Sequence, residues 1–210
     1  MRKLLYSDGS PFARKVRIIL AEKELPYEKD LQNGGLRPID AIKVHNPALQ
    51  VPTLYDRGGA LWGSNLIIQY LFSVYPEPPT SNAHPPLSPS VARQDRYWED
   101  MLTLTTIESM ADAIVTYRLM VAGGPPAENS FMDRQLARVA TCLDWLEPRC
   151  SAEGFWPGTL SVMDIGVMCP LIYGEVRKAF DYRTGRWPQI TALVDRLQTR
   201  PSVAATPINQ

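Results

Sequence analysis

Ser10 and Pro11 stand where a short apolar segment gives way to a helical pattern. A Ser-Pro pair at such a place is typical of a helix N-cap followed by proline at the first helical position. The start of a helix also presents backbone N–H groups and the positive end of the helix dipole, which together favour a bound anion. Ser10 is therefore predicted as a cap, at a position where its hydroxyl can also help to hold an anion.

The cysteines and histidines are the other residues whose types suggest chemistry. The cysteines are Cys142, Cys150 and Cys169, an odd number whose spacing matches neither CxxC nor a zinc-binding Cys/His pattern. We expect reduced and mostly buried thiols. His45 and His84 have no nucleophile or second ligand near them in the sequence, and we expect both at the surface. The sequence therefore predicts no metal site.

Composition and charge narrow the class of protein. The chain has 210 residues and is 45% hydrophobic, enough to bury a core without disulfides or metals. Its 22 basic and 22 acidic residues balance, so it lacks the net positive charge on which non-specific nucleic-acid binding depends. The opening MRKLLYSDGS is too polar for a signal peptide, and no apolar run approaches the ~18 residues of a membrane span. We therefore expect a cytoplasmic protein that binds neither nucleic acid nor membrane.

The first seventy-five residues alternate between strand-like and helix-like patterns. Apolar residues at helical spacing follow Pro11 and end before Pro26, between two segments that have the character of strands. A hairpin built around Asp-Arg-Gly-Gly comes next, and Ser64 is predicted to cap a helix that reaches Val74. The predicted strands are residues 3–6, 27–31, 51–55 and 60–62, in the order βαβ followed by ββα.

The rest of the chain is predicted to be a separate, all-helical domain. The proline-rich segment YPEPPTSNAHPPLSP has few groups that can pack, which indicates an extended linker. The predicted domains are residues 1–76 and 90–210, joined by a linker at 77–89. Breaks rich in glycine and proline divide the second domain into helices at 90–121, 128–149, 161–180 and 188–200.

Five strings run through nearly the whole chain at the spacing that these elements require. They are SPFARKVRIILAEKELPYE, NPALQVPTL, SNLIIQYL, LSVMDIGV and RPSV. Together they resemble the cytosolic glutathione transferase superfamily, in particular its bacterial, serine-type members with an SPF motif. The resemblance implies an α/β plus all-α fold, with a thioredoxin-like βαβ-ββα N-terminal domain followed by an all-helical C-terminal domain. It also implies glutathione as co-substrate, a small hydrophobic electrophile, no metal and a homodimer.

The resemblance implies a catalytic role for Ser10. In the serine and cysteine classes of this family, the residue before Pro-Phe is the catalytic one, and a serine there donates a hydrogen bond to the glutathione thiolate. Phe12 completes this motif. Ser7 is the alternative donor. Because position 10 holds serine, thiol exchange of the kind carried out by the cysteine-bearing classes is disfavoured.

The resemblance also implies a set of glutathione contacts. Val51-Pro52 is similar to the family's cis-proline step, where the valine backbone pairs with the cysteinyl part of glutathione. Ser64 matches the serine that holds the γ-glutamyl carboxylate, whereas Gly63 stands where the family usually has Glu or Asp to meet the ammonium group. The implied glutathione-binding residues are Ser10, Phe12, Arg37 (for the glycine carboxylate), Gln50, Val51, Pro52, Gly63 and Ser64.

The second domain contributes a structural motif and a predicted pocket. Ser161 and Asp164 have the spacing of a capping box at the start of a helix, which indicates a folding role. The first long helix of this domain borders the electrophile site in the family. On that basis Trp98, Met101 and Tyr117 are predicted to line the electrophile pocket.

Three functions remain open at this point. The first is conjugation of glutathione to small hydrophobic electrophiles. The second is a related isomerase, dehalogenase or ether-cleaving enzyme, which would use the same thiolate. The third is a transferase-like binding or interaction protein with weak or no turnover, which Gly63 favours.

Overall fold

The computed structural model describes residues 1–31, 43, 46–76, 96–124 and 129–208. Contacts divide the chain into two compact units, Met1–Ser81 together with Pro201–Gln210, and Asn82–Arg200. Most of the predicted linker lies outside the described residues, so the boundary at 77–89 stays a prediction. The segment after residue 200, which the sequence analysis included in the second domain, groups by its contacts with the first unit.

Among its described residues, the first unit contains a four-stranded mixed sheet and two longer helices. Strand β1 is parallel to β2 and antiparallel to β3, and β4 extends the sheet as a hairpin partner of β3, giving the order β2-β1-β3-β4. This arrangement confirms the predicted thioredoxin-like βαβ-ββα order. The elements are β1 (Arg2–Tyr6), α1 (Pro11–Glu22), β2 (Tyr27–Leu31), β3 (Thr53–Asp56), β4 (Gly59–Trp62) and α2 (Ser64–Val74).

Burial of apolar side chains fixes the register of this sheet. Leu4 of β1 lies opposite Leu54 of β3, and both are fully buried. Helices α1 and α2 pack against each other and supply further buried residues, among them Val16, Ile67 and Leu71. Because successive side chains of a strand point to opposite faces, a one-residue slip would turn these leucines to the other face of the sheet. The apolar pattern therefore holds β1 and β3 in this alignment.

A short helix late in the chain completes the first unit. Helix α7 (Pro201–Ala204) contacts α1, and its Val203 is buried. The Arg14 guanidinium donates a hydrogen bond to the Val203 carbonyl at 3.4 Å, and the Ser202 hydroxyl donates one to the Glu22 carboxylate. The sequence analysis ended the last helix near residue 200 and did not foresee this contact.

The second unit is helical. Helix α3 packs on α4 and on α5, and α5 packs on α6. Helix α5 is buried along nearly its whole length, and all residues from Val162 to Gly174 are buried. Among the described helices, none is both long enough and apolar enough to cross a membrane. The elements are α3 (Tyr97–Ala122), α4 (Ser130–Leu146), a 3₁₀ turn (Glu147–Arg149), α5 (Val162–Val176) and α6 (Pro188–Gln198).

Two of these helices end earlier than the sequence predicts. Helix α4 stops at Leu146, because Pro148 has no N–H with which to continue the hydrogen-bond ladder. Helix α5 stops at Val176, since Lys178 adopts a left-handed conformation with φ of 53° and the Ala179 N–H bonds back to the Gly174 carbonyl. Such a helix end normally carries glycine, so the lysine at this position does not indicate a helix end in the sequence.

The predicted capping box at the start of α5 is present. The Ser161 hydroxyl accepts a hydrogen bond from the Asp164 N–H at 3.2 Å, and the Asp164 carboxylate accepts one from the Ser161 N–H at 2.7 Å. The same carboxylate also accepts the Phe155 N–H at 2.9 Å. Burial raises the pKa of Asp164 to about 6, against the opposing effect of these hydrogen bonds. Asp164 therefore connects the start of a buried helix to the chain that precedes it.

Replacing this carboxylate should destabilise the second unit strongly. Asp164→Ala removes the cap and leaves two buried N–H donors without their acceptor, so we expect the free energy of unfolding to fall by about 2–4 kcal/mol. Urea denaturation followed by circular dichroism measures this change. Asp133→Ala is the control, because Asp133 is an exposed acid in the first turn of α4. Equal losses in the two variants would contradict the role assigned to Asp164.

Candidate functional site

Ser10 is the N-cap of α1, as the sequence predicts. Its backbone is extended, and its Oγ accepts a hydrogen bond from the Ala13 N–H at 3.2 Å. The Ser10 N–H itself bonds to the Ser7 carbonyl at 3.2 Å, which closes the turn between β1 and α1. A hydroxyl that accepts with one lone pair still has its own proton to donate. The half-buried Ser10 side chain can therefore cap the helix and donate to a ligand at the same time.

A buried ion pair fixes the turn that carries Ser10. The Arg17 guanidinium lies 2.8 Å from the Asp8 carboxylate, and both side chains are largely buried. The same guanidinium lies 4.5 Å from the centre of the Tyr6 ring, and burial raises the pKa of that tyrosine. These contacts tie the end of β1 and the following turn to the middle of α1. Ser10 therefore lies on a turn anchored at both ends.

The sheet register brings three predicted site segments to the same end of the sheet. Thr53, the first residue of β3, pairs with Leu5 near the end of β1, so residues 50–52 lie beside the turn that leads to Ser10. Thr53 also pairs with Trp62, the last residue of β4, so residues 63–64 emerge there as well. Three chain segments that are distant in the sequence thus meet at one end of the sheet.

The Val51-Pro52 peptide bond is cis, as the sequence analysis expects. Pro52 is buried, Val51 is half-buried, and the Gln50 side chain is exposed. The cis step lies directly before β3, at the sheet end where α1 begins. Phe12, the second residue of α1, is half-buried.

The start of α2 differs by one residue from the prediction. The sequence analysis made Ser64 the cap, but Gly63 is the N-cap and Ser64 is the first helical residue, with its side chain buried. Gly63 has φ of 83° and ψ of 118°, a conformation that L-residues with a side chain rarely adopt. A Cβ at this position would meet no atom within 4 Å. The glycine therefore lets β4 turn into α2 and leaves open space beside the helix start.

Helices α1 and α2 are also joined near the start of α2. The Lys15 ammonium donates a hydrogen bond to the Asn65 Oδ1 at 2.8 Å, and Asn65 is the second residue of α2. Lys15 is buried. The hydrogen bond fixes the first turn of α2 against the helix that Ser10 caps.

The sequence analysis missed Asn46, which organises the chain before the cis-proline. Its amide nitrogen donates to the Gln50 carbonyl at 2.7 Å and to the Thr53 hydroxyl at 2.8 Å. Its Oδ1 accepts the Ala48 N–H at 2.8 Å, and the residue is fully buried. An asparagine directly before proline marks a turn in the sequence. Its reach to residues four and seven positions later is visible only in the fold.

The remaining predicted residues lie either on α3 or outside the described residues. Arg37 lies outside the described residues. Trp98 is 80% exposed, whereas Met101 and Tyr117 are half-buried. All three lie on α3, and 19 positions separate Trp98 from Tyr117, which is about 28 Å along a helix. The structure does not bring the three proposed pocket residues together.

Comparison with known proteins relates the chain to glutathione S-transferases. Residues 4–79 match the family described as glutathione S-transferase, N-terminal domain. The chain is 28% identical to an uncharacterized GST-like protein, YibF, of Escherichia coli, and the match covers 97% of each protein. It also aligns over its full length with 96% of a crystallised glutathione S-transferase from Methylobacterium radiotolerans, in complex with glutathione sulfonate, with a TM-score of 0.79 and 28% identity. Residues 4–79 thus carry the glutathione S-transferase N-terminal domain, and the whole chain is similar to solved glutathione S-transferases.

A second group of relatives matches only part of this chain. A stringent starvation protein A homolog of Haemophilus ducreyi is 38% identical over 84 residues, which is 40% of this chain and 39% of that protein. The chain therefore aligns with about two fifths of the length of that relative. These similarities therefore show no specific activity for this chain.

Proposed function

We propose that this chain is a glutathione transferase in which Ser10 stabilises the glutathione thiolate for attack on small hydrophobic electrophiles. The observation that carries the proposal is the meeting of the Ser10 cap, the cis Val51-Pro52 step and the start of α2 at one sheet end. We further propose that the protein acts in detoxification, which follows from this activity, and that it is cytoplasmic, which follows from the composition.

Ser10 and the start of α1 are strong enough to stabilise a thiolate without a general base. A free thiol has a pKa of roughly 8.5, and lowering it by two units requires about 2.7 kcal/mol. One hydrogen bond to a charged group contributes ~1.5–3 kcal/mol, and a helix N-terminus ~0.3–1 kcal/mol. The thiol proton is lost to solvent, and the sulfur then bonds to the electrophilic carbon. That carbon releases its leaving group as an anion or, at an activated double bond, the adduct takes a proton from water. The reaction therefore needs no covalent enzyme intermediate.

The other segments each bind a different part of glutathione. The Val51 backbone pairs with the cysteinyl part, and the exposed Gln50 side chain reaches toward the far end of the peptide. Ser64 and the first N–H groups of α2 hold the γ-glutamyl carboxylate, since a helix start favours an anion. Arg37 is proposed to meet the glycine carboxylate.

The Ser10 hydroxyl provides the direct test of this proposal. In Ser10→Ala we expect the pKa of the bound thiol to return toward ~8.5 and kcat to fall by roughly 100-fold, as on removal of one preorganised donor. Ultraviolet absorbance of the bound thiolate across pH, with an aryl-halide conjugation assay, measures both. Ser7→Ala is the matched control and should change neither. Full turnover and an unmoved thiol pKa in Ser10→Ala would refute the mechanism.

A second candidate function follows from Gly63. Because glycine has no side chain, position 63 provides no carboxylate for the ammonium group of glutathione. This favours a protein that binds glutathione weakly or serves as an interaction module with little turnover. Retention on glutathione-agarose followed by the conjugation assay separates the candidates, since only the enzyme shows both binding and turnover.

Restoring a carboxylate at position 63 tests where the γ-glutamyl end lies. Gly63→Glu should bind glutathione roughly fivefold more tightly than Gly63→Gln, because an exposed ion pair contributes up to ~1 kcal/mol. Both variants bear the same backbone strain at φ of 83°, so their comparison isolates the charge. Titration calorimetry measures the two dissociation constants. Equal affinities would show that the ammonium group does not bind near residue 63.

We propose that the protein forms a homodimer, on the evidence of two exposed apolar surfaces. On α3, Trp98 and Leu102 are one helical turn apart and exposed. Next to them, the hydroxyls of Thr105 and Thr106 donate hydrogen bonds to carbonyls of their own helix. In the first unit, Trp62 at the end of β4 and Leu66 in the first turn of α2 are also exposed. Clusters of exposed large apolar side chains are typical of protein interfaces.

A charge placed on the α3 surface should dissociate the dimer. We expect Trp98→Lys to shift the protein from dimer to monomer in size-exclusion chromatography with light scattering, because the lysine would be buried unpaired at the interface. Leu119→Lys is the control, since Leu119 is 62% exposed at the opposite end of the same helix. A wild-type protein that is monomeric at micromolar concentration would rule out the proposed dimer.

A further inference from the structure

We propose that Asn46 is a positioning residue, which orients the Val51 N–H toward the thiol ligand. This inference rests on the proposed glutathione-binding function and adds to it a residue that does not itself touch the ligand. The argument follows from the hydrogen bonds of Asn46 and from the geometry of one peptide bond.

All three hydrogen-bonding groups of the Asn46 side chain are engaged with the chain around the cis-proline. One amide hydrogen goes to the Gln50 carbonyl, before the cis step, and the other to the Thr53 hydroxyl, after it. The Oδ1 accepts the Ala48 N–H. Asn46 therefore holds the segment on both sides of Val51-Pro52 from a fully buried position.

The backbone of Asn46 stabilises the same turn. Its carbonyl accepts the Leu49 N–H at 3.2 Å, and Leu49 has a φ of 56°. This left-handed conformation is uncommon for leucine and persists only where the surroundings impose it. The turn before Gln50 is thus shaped by bonds that originate at one residue.

The planarity of the peptide bond transmits this constraint to Val51. The Gln50–Val51 bond is trans, so its C=O and N–H point in opposite directions. Because Asn46 holds the Gln50 carbonyl inward at 2.7 Å, the Val51 N–H must point away from Asn46. In the proposed function this N–H pairs with the cysteinyl part of glutathione, the part that carries the sulfur. Asn46 therefore sets the direction of a ligand-binding group without contacting the ligand.

Two substitutions test this role. Asn46→Asp preserves shape and the acceptor for Ala48 but removes both donors, and we expect the KM for glutathione to rise about tenfold, with kcat at saturation changed less than about twofold. Thr53→Val removes one of the two partners with little change of shape and should raise KM by roughly threefold. Thr53→Ser keeps the hydroxyl and should retain the wild-type KM.

A stability control separates positioning from simple loss of structure. Tyr70→Phe removes the 3.1 Å hydrogen bond to Asp56, at the other end of β3 from Thr53. It should lower the melting temperature and leave the KM for glutathione unchanged. If the Asn46 and Thr53→Val variants behave like Tyr70→Phe, with lower melting temperature and unchanged KM, Asn46 has no positioning role. Should Asn46→Asp fail to fold, the comparison of Thr53→Val with Thr53→Ser decides alone.

The outcome also distinguishes this inference from the proposed function. A wild-type protein that does not bind glutathione in titration calorimetry overturns both. A wild-type protein that binds glutathione, together with Thr53→Val and Asn46→Asp variants that bind it equally well, overturns only the role of Asn46. A raised KM with nearly constant kcat supports it.

Discussion

The pairing of β3 with both β1 and β4 is the constraint on which the site depends. Thr53 lies opposite Leu5 on one side and opposite Trp62 on the other, so three chain segments are brought to the same end of the sheet. The buried leucines at positions 4 and 54 oppose any slip of this alignment, because a shift by one residue would turn them to the opposite face. Packing of the core therefore fixes the geometry of the polar site.

Local patterns predicted the elements and several of the site residues. Alternating and helical spacing gave the order of strands and helices, the Ser-Pro pair gave the Ser10 cap, and the Ser161 to Asp164 spacing gave the capping box. These features depend on residues within one turn of each other, which a sequence displays directly. The resemblance to a family added the cis Val51-Pro52 step.

Features that depend on backbone angles or distant contacts could not be predicted. Gly63 was not recognised as the cap of α2, because its φ of 83° is a property of the fold. Lys178, just after α5, adopts a left-handed conformation that glycine usually occupies, so no glycine marks this helix end in the sequence. Asn46 gave no sign of its partners, and on α3 the apolar residues are spread around the helix, so the pattern did not separate the exposed Trp98 from the buried face.

Helix α7 has a consequence for the order in which the molecule is made. Val203 packs in the first unit and receives a hydrogen bond from Arg14, yet all of Asn82–Arg200 is synthesised between the sheet and this helix. During synthesis, α1 therefore lacks its contacts with α7 until every residue of Asn82–Arg200 has been made. The last contacts of the first unit can form only after Val203 has been synthesised, so folding of the first unit cannot be complete before synthesis of the second.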